Sequence, residues 1–296
     1  MNYYNEIKNE LINNEVYAKV KDYSKNRHDL ETRYNVGKLL SEAGKHYGEG
    51  IIKEYSIKLT KELDKKYSIR LLYRMLKYYN FMSERKVPTL SAKLSWSHYD
   101  EILRFNDINK INYYINITKR LNLTVRELRD RIKSKEYERL DNNTKLKLIN
   151  NEDTTLPDII KNPIIINNPN NIKVTKEKAL QLLIMENLFI FLKELGEGFT
   201  YVGNEYPIKI GNSYNYIDIL LFNYIYNAFV VIELKITELR KEHIGQIETY
   251  MHYIDTNVKN IYHDKTIGII LCRKDNTFIM EYCSDPRILS REYIVN

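Results

Sequence analysis

Apolar residues in the first half of the chain recur at three- and four-residue intervals. In the second half they gather into short strand-length runs, so a helical region followed by a mixed α/β region is predicted. Helices are expected over residues 34–47, 50–63 and 69–82; in the second, Ile51, Ile52, Tyr55, Leu59 and Leu63 mark one face. Ser68 is placed to cap the third, which would turn Arg70, Arg74 and Lys77 outward. Helix, short turn and helix with a basic face is the outline of a helix-turn-helix and equally of a plain helical bundle. Pro88 closes this unit, and Leu94-Ser95-Trp96-Ser97-His98 opens the next. Trp96, the only tryptophan, is expected to anchor packing between helices, and His98 to be a surface or cap residue. A further helix is predicted over 112–121, and the capping box Thr124-Val125-Arg126-Glu127 starts another that runs to about residue 138. Arg126 and Arg129 on that helix belong to a solvated face that is free to meet phosphate.

Residues 141–175 are polar and interrupted, with Pro157, Pro163 and the run Asn167-Asn168-Pro169-Asn170-Asn171, and read as an inter-domain linker. Beyond it, a helix over 177–194 is stopped by Gly196 and Gly198. Strands are predicted at 199–202, 206–210, 214–222 and 228–234, then a helix at 241–255 and strands at 266–272 and 278–282. The domains expected are therefore a helical one over 1–140, a linker over 141–175 and a mixed one over 176–296.

A length of 296 residues fits two domains, and 43% hydrophobic with 29% charged residues excludes wholesale disorder. The net charge of +7 divides unevenly: residues 1–140 carry +10 and residues 141–296 carry −3. Cys272 and Cys283 are too few for a disulfide scaffold and lack zinc-site spacing, so they are expected as small apolar residues of a reducing compartment. The first twenty residues hold acids and asparagines where a signal peptide needs an apolar core, and no run approaches a membrane span. A cytoplasmic protein without membrane association is expected.

The chemistry concentrates in two predicted strands. Asp218 interrupts the apolar run Ile217 to Phe222, a costly place for a charge without a partner or a metal. The run Val230-Val231-Ile232 leads into Glu233-Leu234-Lys235, and alternation puts Glu233 and Lys235 on one face. A hairpin-sized separation lets the two strands be neighbours, which would bring Asp218 and Glu233 together. Paired carboxylates repel unless a cation lies between them, and oxygen-only donors call for Mg²⁺ or Mn²⁺. On the helix that follows, Gln246 and Tyr250 are four apart and share a face.

Asp218 with Glu233-Leu234-Lys235 resembles the motif of the PD-(D/E)XK nuclease superfamily, and Gln246 with Tyr250 resembles the Gln-x-x-x-Tyr motif of RecB-like nucleases. Further blocks narrow the likeness: Phe191 to Phe199, Tyr201-Val202-Gly203, Gly245-Gln246, Ile267 to Cys272, and in the first half Leu94-Ser95-Trp96 and the region 114–132. Together they are similar to YhcG-like PD-(D/E)XK nucleases, in which a helical domain precedes the nuclease domain. The resemblance implies an all-α domain followed by a restriction-endonuclease-like domain with an αβββαβ core. It implies a metal-dependent DNA endonuclease that hydrolyses phosphodiester bonds, with the helical domain targeting DNA or a partner; the alternatives are a junction-resolving or recombination nuclease on the same site, or a weakly or non-catalytic DNA-binding or assembly module. Asp218, Glu233 and the carbonyl of Leu234 would hold Mg²⁺ or Mn²⁺; Lys235 would steady the attacking water or the developing charge; Gln246 would orient one of them, with Tyr250 behind it. DNA is the implied partner, with a homodimer and restriction or mobile-element proteins as further ones; the basic helix faces and the +10 balance, apart from the resemblance, make Arg70, Arg74, Lys77, Arg126 and Arg129 the candidate DNA contacts. The sequence departs from the family where Glu205 stands in place of Gln, and where the first nuclease-domain helix offers Gln181 with Glu177 and Glu186 nearby; a third carboxylate is left open. Glu194 reads as a helix-end residue and not as a ligand.

Overall fold

The computed structural model describes residues 2–19, 25–48, 50–84, 94–150 and 152–296; Pro88 lies outside them. The chain divides into two compact units, Met1–Tyr137 and Glu138–Asn296.

The first unit is helical: α1 (Tyr3–Lys19), α2 (Lys25–Tyr47), α3 (Ile51–Glu62), α4 (Ile69–Glu84), α5 (Trp96–Ile102), α6 (Ile108–Leu121) and α7 (Val125–Lys133). Ile7, Leu11, Val36, Leu40, Ile52, Leu59, Leu72 and Met75 form its core. The main partner of α4 is α2 and not α3. The consecutive pair read as a possible helix-turn-helix is thus the lesser packing within a bundle. Gly37 permits the close approach, because a Cβ there would stand 2.2 Å from the main-chain oxygen of Met75. Trp96 is an anchor as predicted, with Tyr78 edge-on at 5.8 Å and the Arg33 guanidinium 5.2 Å from its ring.

Several basic residues do not point freely outward. Arg74 is half-buried in an ion pair with Asp100. Lys77 donates to the Phe105 carbonyl at 2.6 Å and to Asn106 Oδ1 at 3.0 Å, which leaves Arg70 as the exposed one of that set. His98 caps α5, accepting from Ser95 N at 3.0 Å through Nδ1, yet it is buried and not at the surface, with Nε2 2.9 Å from the Leu123 carbonyl. The capping box forms at Thr124 and Glu127, but α7 ends at Lys133. Lys135 takes a φ of 54°, and Glu136 turns inward to accept from Tyr113 at 2.7 Å and Arg131 at 2.9 Å.

The second unit adds α8 (Asn142–Asn150), α9 (Leu156–Ile159), β1 (Ile164–Ile166), α10 (Glu177–Glu186), α11 (Leu188–Leu195), β2 (Phe199–Ile210), β3 (Ser213–Asn223), β4 (Ala228–Leu234), α12 (Lys241–Asn257), β5 (Asp264–Cys272), α13 (Thr277–Glu281) and β6 (Ile288–Val295). One sheet runs in the order β1-β6-β5-β4-β3-β2. The meander β2-β3-β4 is antiparallel, and β4, β5, β6 and β1 are parallel neighbours. Leu180, Leu183, Ile184, Phe191 and Leu195 of α10 and α11 cover one face, against Ile219, Val230, Ile232, Ile269 and Leu271. Ile244, Ile247, Met251 and Ile254 of α12 cover the other, against Leu220, Val231 and Ile270. Every residue of β4 is therefore buried, which explains its unbroken apolar run.

The linker expected over 141–175 is built into this unit, since it carries α8, α9 and the edge strand β1. It is tied there through Glu194, which pairs with Arg139 and Lys161 and accepts from Ile165 N at 2.9 Å. Glu194 is structural, as its helix-end position suggests. The helix read over 177–194 breaks at Asn187, and the strands read at 199–202 and 206–210 are one bulged strand. The strand read at 278–282 is the helix α13, started by Asn276, whose side chain accepts from Ile279 N. Phe278 and Tyr282 supplied apolar periodicity but remain exposed. The last strand, β6, was not predicted, because Arg291 and Glu292 interrupt its apolar pattern. Cys272 and Cys283 are free thiols, the former buried in β5. Among the described residues no helix is long and apolar enough to cross a membrane.

Candidate active site

The site forms where two strands part. β3 and β4 pair from Asn223 and Ala228 up to Ile219 and Ile232, and the ladder ends there. Just beyond, the N–H of Leu234, two residues along β4, donates at 2.8 Å to Oδ2 of Asp218, one residue along β3, so a side chain takes the place of the missing backbone acceptor. β4 stays anchored to β5 on its other side, where Lys235 N donates to the Leu271 carbonyl at 2.8 Å. Asp218 and Glu233 stand at facing register positions of the fork.

Glu233 is 2% exposed. Its Oε1 accepts from Lys235 Nζ at 2.7 Å, and its Oε2 is buried without a partner among the described residues. Burial first, and then the negative charge of Asp218, push the Glu233 carboxyl up to about 7. Burial also raises Asp218, against the opposing Leu234 N–H and Lys235 charge, with Glu177 and Glu205 adding to the rise. Burial alone would lower Lys235, but its hydrogen bond to Glu233 and the surrounding acids outweigh that and hold it above its ordinary value. The ammonium is thus fixed as a cation among carboxylates.

The N-terminal half of α10 completes the surroundings. Glu177 Oε2 lies 3.8 Å from Lys235 Nζ. Gln181 donates to the main-chain carbonyl of Asp218 at 2.8 Å and accepts from Lys178 at 3.0 Å. Lys178 in turn pairs with Glu205 at 2.5 Å. Of the acids around the open third position, Glu177 is the one beside Lys235, whereas Glu186 is exposed at the far end of α10. On α12, Gln246 donates to the Tyr250 hydroxyl at 3.0 Å. Burial raises that hydroxyl against the Gln246 bond, and Glu233 and Asp218 add to the rise. His243 escapes sequence reasoning. It is buried one turn before Gln246, Nδ1 accepts from Arg240 N at 3.1 Å, and burial and then the Lys235 charge depress its pKa. The neutral ring therefore carries its proton on Nε2. Its only sequence signal is helical spacing to Gln246.

The structure thus gathers Asp218, Glu233, Leu234 and Lys235 at the fork, with Gln246 and Tyr250 bonded to each other on the helix behind. The five basic candidates of the first unit differ in environment: Arg70 and Arg126 are exposed, Arg74 and Lys77 are tied down, and Arg129 donates to buried Glu101 at 2.7 Å. Among the described residues no three His, Cys, Asp or Glu side chains cluster closely enough to hold a metal ion by themselves. The residue chemistry still fits a hard cation, because Glu233 Oε2 is an orphaned buried oxygen and the facing residue, Asp218, is a second carboxylate.

A mixed sheet flanked by helices, with an Asp and a Glu-x-Lys at a strand fork, defines a nuclease domain of the PD-(D/E)XK class. Residues 157–291 match the family model of the YhcG PDDEXK nuclease domain, and residues 10–139 match the DUF1016 N-terminal domain. The chain belongs to the YhcG-like PD-(D/E)XK nuclease family. It is 25% identical over 201 residues to "Putative nuclease YhcG" of Escherichia coli (strain K12), a match covering 65% of this chain and 54% of that protein. The match thus spans about half the length of that relative. Two solved structures are also similar. A repair endonuclease from Pyrococcus abyssi shares 19% identity over 43% of this chain and 49% of its own, with a TM-score of 0.29. The EndoMS-dsDNA2 complex shares 20% identity over 44% and 48%, also with a TM-score of 0.29.

Proposed function

We propose that the chain is a metal-dependent DNA endonuclease that hydrolyses phosphodiester bonds, with the basic helical unit targeting DNA or a partner. The observation that carries this reading is the fork itself: two raised carboxylates, one with an orphaned buried oxygen, beside a fixed ammonium. Asp218, Glu233 and the Leu234 carbonyl would hold a divalent cation of the Mg²⁺ or Mn²⁺ kind. When bound, that ion supplies Lewis-acid polarisation of the phosphodiester. Lys235 places positive charge where the phosphate gains negative charge in the transition state. Gln246, braced by Tyr250, presents its amide oxygen or the remaining N–H to the attacking water or a phosphate oxygen. Glu177 balances the Lys235 charge from the helix side.

The test is a cleavage assay of purified protein on linear, nicked, branched and single-stranded DNA with Mg²⁺. Asp218→Ala is expected to abolish cleavage, and Lys235→Ala to slow it by roughly 10²-fold or more. Identical behaviour of wild type and both variants on every substrate sinks the nuclease reading.

A further inference from the structure

The β2-β3 hairpin continues past the fork as a two-stranded ribbon. Beyond Ile219 it has no partner in β4, yet it is paired within itself from Tyr206 and Ile217 to Ile210 and Ser213. An isolated two-stranded ribbon is marginal in water, so something must hold it. One face does so: Ile208 and Ile217 are fully buried with Leu239 and Ile244 in the core under α12, and Tyr206 packs alongside. The opposite face is exposed among the described residues. There Tyr214 is 63% exposed and Tyr216 is 56% exposed, with Lys209 directly across from Tyr214 and Pro207 across from Tyr216.

Register connects this face to the site. Tyr214, Tyr216 and Asp218 are successive same-face residues of β3, so the aromatic row ends at a carboxylate of the fork. Two large rings held in solvent on a braced strand, next to a lysine and leading to that carboxylate, suit stacking on bases more than folding. The nearest acid on β2, Glu205, is already paired with Lys178. Spacing then selects the kind of strand. Same-face residues lie about 7 Å apart, roughly twice the 3.4 Å step of a stacked strand in a duplex. Both rings can take neighbouring bases only when the strand is unpaired and drawn out.

We propose that Tyr214 and Tyr216, with Lys209, form a stacking platform for an unpaired stretch of the DNA strand that enters the site at Asp218. The proposal deepens the nuclease reading and rests on it by naming single-stranded segments, as in flaps, overhangs and branches, as the preferred substrate class. Lys209 meets the backbone phosphate beside the stacked bases, and the rings accept any base because every base has a π-face.

The experiment measures fluorescence anisotropy of the full chain with labelled single-stranded and duplex oligonucleotides of the same sequence, in chelator, with folding checked by circular dichroism. The double variant Tyr214→Ala/Tyr216→Ala is expected to lose about tenfold or more in single-strand affinity, with duplex affinity unchanged. Tyr214→Phe/Tyr216→Phe should bind like wild type, since stacking needs the ring and not the hydroxyl. Unaltered single-strand binding by the alanine variant overturns the proposal, as does an equal loss on both substrates or a matching loss in the phenylalanine variant. Cleavage separates the two readings. If wild type cuts DNA while the alanine variant binds normally, the platform alone fails; if the binding difference holds while wild type cuts nothing, the nuclease reading alone fails.

Discussion

Glu233 carries the strongest electrostatic consequence of the fork. Its carboxyl is raised from an ordinary 4.5 to about 7, because burial and the Asp218 charge both disfavour the anion. The folded state therefore binds this proton more tightly than the unfolded chain does. Its contribution to stability is complete below about 4.5 and is lost as the pH rises through about 7. Asp218 shifts in the same sense, whereas His243 and His98, both lowered, act oppositely on the acid side. Comparison with a Glu233→Gln variant isolates the single group. In chelator, the melting temperature of wild type should fall relative to the variant between pH 5 and 8, and the gap should narrow when Mg²⁺ or Mn²⁺ is added. Parallel melting curves across that range would show that Glu233 is not desolvated as described.

Among the elements, the tightest constraints are glycines where two elements touch. A Cβ on Gly37 would meet the Met75 carbonyl oxygen at 2.2 Å and Tyr79 Cβ at 2.7 Å, whereas nothing among the described residues lies within 4 Å of one on Gly44 in the same helix. Gly44→Ala should stabilise the protein by up to about 1 kcal/mol through helix propensity. Gly37→Ala gains the same propensity but must push α2 from α4, and a net loss of about 1–3 kcal/mol is expected. Urea denaturation of the two variants checks the opposite signs. Where an element's pattern reflected its surroundings, it was legible: the all-apolar β4 is covered on both faces, and the box at Thr124 and Glu127 formed. Where pattern and surroundings part, it was not. Phe278 of α13 and Tyr282 just after it face solvent while Ile279 and Met280 pack only partly on the core, and the charges of β6 are absorbed locally, Arg291 by the Ile160 carbonyl at 3.1 Å and Glu292 by Asp275 N at 3.0 Å.

Over the whole molecule, the charge division places +10 in residues 1–140 and −3 in the remainder that holds the fork. If the helical unit meets phosphate, DNA affinity of the full chain should fall steeply between roughly 50 and 200 mM salt. Arg70→Ala and Arg126→Ala should each reduce the slope of affinity against salt by about one. Arg74→Ala should instead lower the melting temperature, because Asp100 loses its half-buried partner. A flat salt dependence would remove the phosphate-binding role from the helical unit. Adjacent residues were enough to reveal Asp218, Glu233-Leu234-Lys235 and the Gln246-Tyr250 pair, because strand alternation and helical spacing are local geometry written directly in the chain. Two domains and their order were legible for the same reason. Only the tertiary structure decided that Leu234 N–H turns to the Asp218 side chain, that Glu177 reaches Lys235 while Gln181 takes a main-chain carbonyl, and that His243 lies buried beside them. It also decided that the apparent linker supplies the sheet's edge strand. These contacts join residues far apart along the chain, and which partner each polar group finds depends on where strands part and helices dock. No single stretch of sequence encodes that placement.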